Sequence, residues 1–303
     1  MIDFEIKDGV LSIPEGVTVI PAETFCGNQN IARAIMPDSL KIIGKGAFYG
    51  CRSLKEIIFP EQLVSIGNYA FCDCVVLKSI RIPDSVNHIG TGVFYGCEKL
   101  ENVILPDALT VLRKKVFSCC LNLKHITIPE SVVKIEEKAF EYANLKEIAI
   151  PEVCCIEKKA FSYNTKLERI IISEKLNEVC ASAFTANIRL KEIICHDMHF
   201  SFSEKFRTDG IISVIIRISK FLQNPENPEF SAYLAEHFRI VLFVCNTELL
   251  KELLLSGKIF TKNNIDDSIQ YANKIQNYEI QLLLTDYKYQ HFQFQDISDK
   301  LKL

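Results

Sequence analysis

The residues of this sequence with the chemistry to hold a metal or attack a substrate are its cysteines and histidines. Their densest cluster is Cys195-His-Asp-Met-His199, where one thiol and two imidazoles fall within five residues. These ligand types suit zinc, but a structural zinc site needs four ligands, and no Cys-x-x-Cys or His-x-x-x-His pair occurs elsewhere to complete it. A cysteine nucleophile beside its histidine is also disfavoured, because adjacent residues of a strand point to opposite faces. We therefore predict no catalytic residue, no metal and no cofactor.

Two vicinal cysteine pairs, Cys119-Cys120 and Cys154-Cys155, are the residues best placed for a thiol switch. Such a switch needs a thiol of lowered pKa, and no neighbouring cluster clearly supplies the charge that would lower it. One member of each pair is expected to point into the core and the other outward. The sequence also has no Gly-x-Ser-x-Gly, no phosphate-binding loop and no Gly-x-Gly-x-x-Gly motif, so we predict that the protein is not an enzyme.

Cysteine recurs at one place in the sequence, three residues after a phenylalanine. The residues at this place are Cys51, Cys74, Cys97 and Cys120. Because cysteine is small, weakly polar and often buried, the spacing predicts a column of reduced thiols in the core. Disulfides between successive members are the alternative, but their side chains point the same way and fit disulfide geometry badly.

The cysteines belong to a larger repeat. Phenylalanine recurs every 23 residues, with one step of 21, at Phe25, Phe48, Phe71, Phe94, Phe117, Phe140, Phe161 and Phe184. Proline recurs with the same period at Pro14, Pro37, Pro60, Pro83, Pro106, Pro129 and Pro151, where only the last step, of 22, differs. A fixed period of this size predicts a solenoid, in which each repeat buries its apolar face against its neighbours.

Each repeat is expected to contain a longer and a shorter extended segment. In the repeat that begins at Pro37, Leu54-x-x-Ile57-x-Phe59 ends with a period of two and predicts a strand of a parallel sheet. Leu40 to Ile43 predicts the second extended segment, and Gly44 to Phe48 predicts a turn followed by about one helical turn. The inward residues of this repeat are predicted to be Leu40, Ile43, Phe48, Cys51, Leu54, Ile57 and Phe59.

The ends of the repeat array depart from the pattern. Residues 4–13 alternate apolar and polar around Asp8-Gly9, which predicts a hairpin that closes the first repeat. The repeat pattern expects one more residue at Ala143-Asn144, so we expect the stack to kink at the sixth and seventh repeats. Asn164 and Asn187 replace cysteine in the last two repeats, where an amide can bond backbone groups.

After His196 the period ends and helical patterns begin. We predict helices over Ile211 to Leu222, Glu229 to Cys245, Asn246 to Leu255, Ile265 to Ile275 and Tyr278 to about His291. Asn224 to Pro228 is predicted to be a loop, because its two prolines do not allow a continuous helix. The predicted domains are a capping hairpin at 1–13, about eight repeats at 14–196 and a helical region at 197–303.

The repeat resembles the BspA-type leucine-rich repeats, 23-residue units with an internal Gly-x-x-Ala-Phe-x-x-Cys and a final Leu-x-x-Ile-x-Ile-Pro. The final motif is carried by Leu54 to Pro60, Leu77 to Pro83 and Leu123 to Pro129. The resemblance implies an α+β fold, namely a right-handed leucine-rich-repeat solenoid with a parallel β-sheet on its concave face, followed by an α-helical C-terminal domain. It also implies a role in adhesion or protein binding.

The helical region is weakly similar to ankyrin-type helix pairs over Asn246 to Gly257 and Ala272 to Leu284. It also resembles the helical tails that follow such repeats in some bacterial proteins. The alternative is a helical cap over the C-terminal edge of the solenoid. We favour the cap, because a stacked core must be covered at both ends.

The composition is that of an ordinary globular protein, with 48% hydrophobic residues and a net charge of −3. No run of lysine and arginine alternates with aromatics, so nucleic acid is not an expected partner. The N-terminal residues lack the basic and apolar regions of a secretory signal, and no apolar stretch approaches the ~20 residues of a membrane helix. We expect a cytoplasmic protein without membrane insertion, or a cell-surface protein if the sequence is a piece of a longer chain.

The outward residues of the predicted longer strands form two columns. The first reads Ile35, Ile58, Arg81, Ile104, Thr127, Ala149, Ile171 and Ile194, and the second reads Arg33, Glu56, Ser79, Asn102, His125, Glu147, Arg169 and Glu192. On one interpretation the exposed isoleucines have no binding role and are present only because isoleucine favours β-strands. On the other, which we favour, the first column is an apolar stripe suited to a protein or an extended peptide.

The favoured interpretation predicts a non-catalytic interaction scaffold that binds a protein or peptide partner on the concave face. The predicted partner-binding residues are Ile35, Glu56, Ile58, Arg81, Asn102, Ile104, His125, Arg169, Ile171 and Ile194. The second hypothesis is a BspA-type cell-surface adhesin that binds host or bacterial proteins. The third is a metal- or thiol-dependent enzyme at Cys195 to His199.

Overall fold

Strands of two lengths alternate along the chain as far as Ser201 in this computed structural model, and helices follow from Ile211. The structure describes residues 4–153, 155–173, 176, 178–195, 198–201 and 210–293. The strands are β1 (Glu5–Lys7), β2 (Val10–Ser12), β3 (Val19–Ile20), β4 (Arg33–Ile35), β5 (Ile42–Ile43), β6 (Glu56–Ile58), β7 (Ser65–Ile66), β8 (Ser79–Arg81), β9 (His88–Ile89), β10 (Asn102–Ile104), β11 (Val111–Leu112), β12 (Lys134–Ile135), β13 (Glu147–Ile150), β14 (Cys155–Ile156), β15 (Arg169–Ile172), β16 (Glu178–Val179), β17 (Glu192–Cys195) and β18 (Met198–Ser201). The helices are α1 (Ile211–Gln223), α2 (Pro228–Glu236), α3 (Phe238–Val244), α4 (Thr247–Leu255), α5 (Ile265–Lys274) and α6 (Tyr278–Lys288), and a π-helix (Tyr289–Gln293) follows.

The longer strands come from the Leu-x-x-Ile-x-Ile segments and pair in parallel from repeat to repeat. Strand β4 pairs with β6 so that Arg33 lies opposite Glu56, one repeat further on. The sheets they form are ordered β1-β2-β4-β6, β8-β10 and β13-β15-β17-β18. Equivalent residues of successive repeats are therefore neighbours, and the predicted solenoid is confirmed.

The shorter strands form a second set of parallel ladders, ordered β3-β5-β7-β9 and β11-β12-β14-β16. Each has one inward residue, such as Ile43 in β5 and Ile66 in β7, and both of these side chains are fully buried. The second extended segment predicted for each repeat is therefore confirmed.

The segment around each repeat phenylalanine forms successive tight turns, and the predicted helical turn over Gly44 to Phe48 is wrong. Gly46 and Gly50 have positive φ angles of 59° and 67°, which a right-handed helix does not contain. The N–H of Phe48 donates to the carbonyl of Ala70 at 2.8 Å, in the next repeat. Backbone groups that would close a helix therefore bond the neighbouring repeat.

The core is organised around the repeat phenylalanines, which stack in one row from Phe25 to Phe184. Successive ring centroids lie 4.9–5.8 Å apart. From Phe48 onward these side chains are at most 1% exposed. The seven inward residues predicted for the second repeat are all buried as well.

The cysteine column lies beside the phenylalanine row as reduced, buried thiols. Each thiol donates to the carbonyl of a phenylalanine in the preceding repeat, as Cys74 does to Phe48 at 3.3 Å and Cys97 to Phe71 at 3.2 Å. Cysteines in the described part of the chain are free. Burial raises the pKa of Cys51 to about 11, so this thiol stays protonated at neutral pH.

Both ends of the longer-strand ladder are closed by antiparallel pairs. At the first end, β1 and β2 form the predicted hairpin, with Asp8 and Gly9 at positive φ angles of 51° and 80°. At the other end, β18 pairs antiparallel with β17. Strand β18 was not predicted, because the regular sequence pattern ends at His196.

The chain divides into two compact units, residues 1–210 and 211–303. In the second unit, α1, α4, α5 and α6 match predicted helices, and the predicted loop before α2 is present. The single helix predicted over Glu229 to Cys245 is wrong, because His237 leaves the helical conformation and separates α2 from α3. After this break α3 packs against α1 and α5. No helix in the described ranges has the length and apolar character needed to cross a membrane.

Candidate functional site

The long-strand face, which we define as the outward side of the longer strands, exposes the predicted isoleucine column. Ile35 lies opposite Ile58 in the β4–β6 pair, and Ile171 lies opposite Ile194 in the β15–β17 pair. Ile104 on β10 is the most exposed of the column's isoleucines, at 59%. The isoleucines are therefore stacked in two pairs, Ile35 with Ile58 and Ile171 with Ile194, whereas Ile104 lies opposite Arg81.

The second predicted column is largely paired within itself. Arg33 bonds Glu56 at 3.1 Å, and Arg169 bonds Glu192 at 2.7 Å. His125 Nδ1 lies 3.8 Å from a carboxylate oxygen of Glu147. Charges in this column are thus partly compensated by the neighbouring repeat.

The predicted site residues fall into three groups, one on each sheet of the long-strand face. Ile35, Glu56 and Ile58 lie together on β4 and β6, and Arg81, Asn102 and Ile104 lie together on β8 and β10. Arg169, Ile171 and Ile194 lie together on β15 and β17. His125 belongs to none of these sheets, because residues 123–129 form no strand.

An acidic column that was not predicted from the sequence borders the isoleucine column. It stands one residue after each repeat proline and is exposed throughout, at Glu15, Asp38, Glu61, Asp84, Asp107, Glu130 and Glu152. Glu61 lies 4.0 Å from Arg81 of the isoleucine column, which places the two columns side by side. Two of the carboxylates also bond the next repeat, since Asp38 N–H donates to Glu15 and Asp107 N–H donates to Asp84. The 23-residue period was a sufficient signal for this column.

A basic border lies on the other side of the face, one residue before the second predicted column. It is exposed and reads Lys55, Lys78, Glu101, Lys124, Lys146, Glu168 and Lys191. The long-strand face therefore carries lysines near the start of its strands, isoleucines near the middle and carboxylates just beyond the strand ends. This polarity is visible only when all four columns are aligned.

An apolar cavity of about 580 Å³ interrupts the face at the fifth and sixth repeats. Thr127 and Ala149 stand there in place of isoleucine, and Ile126 is half-buried where its counterpart Ile148 is 1% exposed. In the described ladder β10 pairs with β8 alone and β13 with β15 alone, so strand pairing stops on both sides. The interruption coincides with the shortened connection at Ala143-Asn144.

A second cavity of about 480 Å³ adjoins the first and shares His125 and Glu147 with it. We call it the basic cavity, because the five cationic side chains that line it outnumber its three carboxylates, those of Glu147, Glu168 and Glu192. The cations are Lys146, Lys166, Arg169, Arg189 and Lys191. Lys191 donates to Glu168 at 3.0 Å, and this bond, with the charges of Lys191, Arg189 and Lys146, lowers the pKa of Glu168. The cations are therefore close enough to act on one anion together.

The cluster Cys195 to His199, for which no metal was predicted, is only partly described. Cys195 is buried and lies opposite Met198. His196, Asp197, Cys154 and the side chain of His199 lie outside the described residues. Among the residues that the structure does describe, no group of three or more histidine, cysteine, aspartate or glutamate side chains could hold a metal ion.

The sequence matches the family model of the BspA type leucine rich repeat region in six copies, over residues 10–123 and 88–208. The chain belongs to the BspA-type leucine-rich repeat family. The match covers the alternating strands and the core described above. The resemblance that was stated from the repeat motifs is thereby confirmed.

Solved structures similar to this BspA-type repeat protein are also leucine-rich repeat proteins. One from Bacteroides ovatus ATCC 8483 is 26% identical, with 61% of this chain and 63% of that chain covered and a TM-score of 0.41. A leucine rich cell surface protein from Faecalibacterium prausnitzii A2-165 is 24% identical, with 62% and 60% covered and a TM-score of 0.39. The T. pallidum leucine rich repeat protein is 22% identical, with 62% and 87% covered and a TM-score of 0.40. The BspA-type chain thus spans about three fifths of the first two proteins, and the search of curated proteins found no match.

Proposed function

We propose that this protein is a non-catalytic scaffold that binds a protein partner on the long-strand face. The observation that carries the proposal is the exposed isoleucine column, in which Ile35, Ile58, Ile104 and Ile171 are each at least 39% exposed. Isolated exposed apolar residues need no functional explanation, but several that are aligned in one column of successive repeats are typical of an interaction surface. Bordering charges would fix the orientation of the partner.

The proposal is tested by placing charges within the stripe. In the double variant Ile58→Asp, Ile104→Asp, a partner captured by the wild-type protein and identified by mass spectrometry should bind about tenfold more weakly or not at all. The loss is expected because burying an unpaired carboxylate against an apolar partner is costly.

A matched control lies on the shorter strands. Val19 and Ile42 are each 41% exposed, and β3 and β5 place them side by side. The variant Val19→Asp, Ile42→Asp should keep the partner. If this control loses the partner and the Ile58, Ile104 variant keeps it, the long-strand face is not the binding surface.

The adhesin hypothesis assigns the same face to a host or bacterial protein outside the cell. One similar protein, from Faecalibacterium prausnitzii, is described as a cell surface protein. Fractionation of the native cells distinguishes the two roles, because a cytoplasmic scaffold is recovered in the soluble lysate and an adhesin with the envelope. Recovery with the envelope would favour the adhesin.

A further inference from the structure

The apolar cavity is suited to one large side chain of a partner. Its volume of about 580 Å³ lies in the range of pockets that enclose small ligands. Three members of the isoleucine column line this cavity, namely Thr127, Ala149 and Ile171. The cavity is therefore a depression within the column. An aliphatic or aromatic side chain inserted there would be buried among apolar atoms, as interface anchors are.

The rim of the apolar cavity is acidic on the side of the strand ends. Glu130 and Glu152, two members of the acidic column, line the cavity with Glu147. Carboxylates beside an apolar surface attract a cation and disfavour an anion. The partner residue on this side of the anchor is therefore expected to be lysine or arginine.

The basic cavity favours an anionic residue of the partner on the other side of the anchor. Of its cations, Arg169 and Lys191 pair with glutamates, whereas Lys146, Lys166 and Arg189 form no ion pair within the described residues. Three such cations, one on each of three successive repeats, favour a carboxylate from the partner. The two cavities adjoin at His125 and Glu147, so one short segment can reach both.

We propose that the two cavities together bind an extended peptide segment of a partner protein, with a large apolar residue between one basic and one acidic residue. The proposal deepens the proposed function and rests on it, because both cavities lie on the long-strand face. Lys146 and Glu152 bracket β13 six residues apart, which is about 20 Å at ~3.3 Å per residue. On an extended segment that lies along β13, two charges placed four residues apart are about 13 Å apart, and the lengths of the charged side chains cover the remaining distance to Lys146 and Glu152.

Charge complementarity argues for a peptide over other partners. A nucleic acid would place phosphates along the acidic column, where they are repelled. A peptide can carry one cationic and one anionic side chain and place each beside protein groups of the opposite charge. A second copy of this chain is the remaining alternative, and its formation is an outcome of the test.

The test measures fluorescence anisotropy of labelled heptapeptides against the full-length protein. Each probe has leucine or phenylalanine at its centre and glutamate or lysine two residues away on either side, in all four charge combinations. We expect probes with one glutamate and one lysine to bind about tenfold or more tightly than those with two like charges. The variant Ala149→Phe fills the apolar cavity and should weaken this binding by about tenfold.

Two further variants make the test specific. Val19→Phe adds an aromatic side chain to an exposed position of β3, a shorter strand that lines neither cavity, and should leave binding unchanged. Glu130→Lys should shift the preference toward the probe with two glutamates. Thermal melts of each variant confirm that the fold persists.

Four outcomes would overturn the inference. Three of them are no binding of any probe by the wild-type protein, equal binding of all charge combinations, and full binding by Ala149→Phe. A fourth is light scattering that shows Ala149→Phe abolishing a dimer, since a second copy would then occupy the cavities. None of these depends on the partner-capture experiment with Ile58 and Ile104, so failure of this inference is distinguishable from failure of the proposed function.

Discussion

At the scale of single residues, the amides of Asn164 and Asn187 show how side chains join successive repeats. The Asn164 amide donates to the carbonyls of Phe140 and Phe161 at 2.8 and 2.9 Å, and its Oδ1 accepts the N–H of Leu145 at 3.0 Å. Asn187 Oδ1 in turn accepts the N–H of Asn164 at 2.9 Å. A cysteine thiol at the same place in earlier repeats makes one bond of this kind, so asparagine links more backbone groups than the residue it replaces.

We therefore predict that Asn164→Ala destabilises the protein strongly. Asn164 is fully buried, and its removal leaves the Leu145 N–H without its acceptor, whereas the Phe140 carbonyl keeps the N–H of Ala143 at 3.2 Å. One buried unsatisfied N–H costs about 1–3 kcal/mol and the lost amide bonds add about 1 kcal/mol, so the free energy of unfolding should fall by about 2–4 kcal/mol in urea titrations.

Cys97→Ala serves as the comparison for that measurement. It removes one thiol that donates to Phe71 at 3.2 Å, without leaving a backbone N–H unsatisfied. Its loss should be under about 2 kcal/mol. An Asn164→Ala variant that unfolds at the same urea concentration as Cys97→Ala would contradict the role given to the amide.

At the scale of elements, the glycine that follows β5, β7 and β9 sets how closely these early repeats approach the preceding ones. A Cβ atom on Gly67 would lie 2.7 Å from the backbone nitrogen of Lys45, and one on Gly44 would lie 2.6 Å from that of Ala22. In later repeats Glu136 and Glu157 occupy the position of this glycine, and the Glu136 carboxylate accepts the N–H of Lys114 at 2.8 Å. Side-chain bonds there take the place of the close backbone contact.

The variant Gly67→Ala should consequently lose stability. The added methyl group meets backbone atoms that cannot rotate away, and overpacking of this kind costs about 1–3 kcal/mol. Thermal unfolding measures the loss. Lys45→Ala, an exposed substitution in the adjoining repeat, is the control and should change stability by less than about 0.5 kcal/mol. Equal melting temperatures for Gly67→Ala and the wild-type protein would show that the repeats separate at little cost.

Elements with a local sequence signal were predicted well, and those decided by packing were not. Asp8-Gly9 predicts its hairpin because these residues favour the left-handed backbone of a two-residue turn. Asn246 predicts the start of α4, and its side chain accepts the N–H of Leu249 at 2.8 Å. The break at His237 has no comparable signal, because histidine is compatible with a helix and the separate packing of α2 and α3 decides it.

At the scale of the whole molecule, the phenylalanine row links eight repeats, and within the row each ring stacks on the rings of the adjacent repeats. Phe94 lies 5.8 Å from Phe71 and 5.6 Å from Phe117, measured between ring centroids. In a solenoid, stability is approximately a sum of repeats and the interfaces between adjacent repeats. A defect in one repeat should therefore act most strongly on the two beside it.

Phe94→Ala tests this expectation. Loss of a buried phenylalanine costs about 3–5 kcal/mol, and the cost should appear as faster hydrogen exchange in the third to fifth repeats, with little change near Phe25 or Phe184. Leu121→Ala, at a side chain that is 44% exposed, is the control and should leave exchange unchanged. Uniform acceleration along the whole repeat array would mean that the repeats unfold as one cooperative body.

The register of successive repeats follows from the amino-acid sequence alone. One period of 23 residues places like residues side by side, and from it follow the phenylalanine row, the thiol column and the positions of the exposed isoleucines. Tertiary structure decided what the period cannot express. The two cavities arise where strand pairing stops beside Thr127 and Ala149, and this depends on how the neighbouring repeats stack. Which cations are paired was likewise decided in three dimensions, because Coulomb energy depends on the distance between side-chain atoms and not on their spacing along the chain.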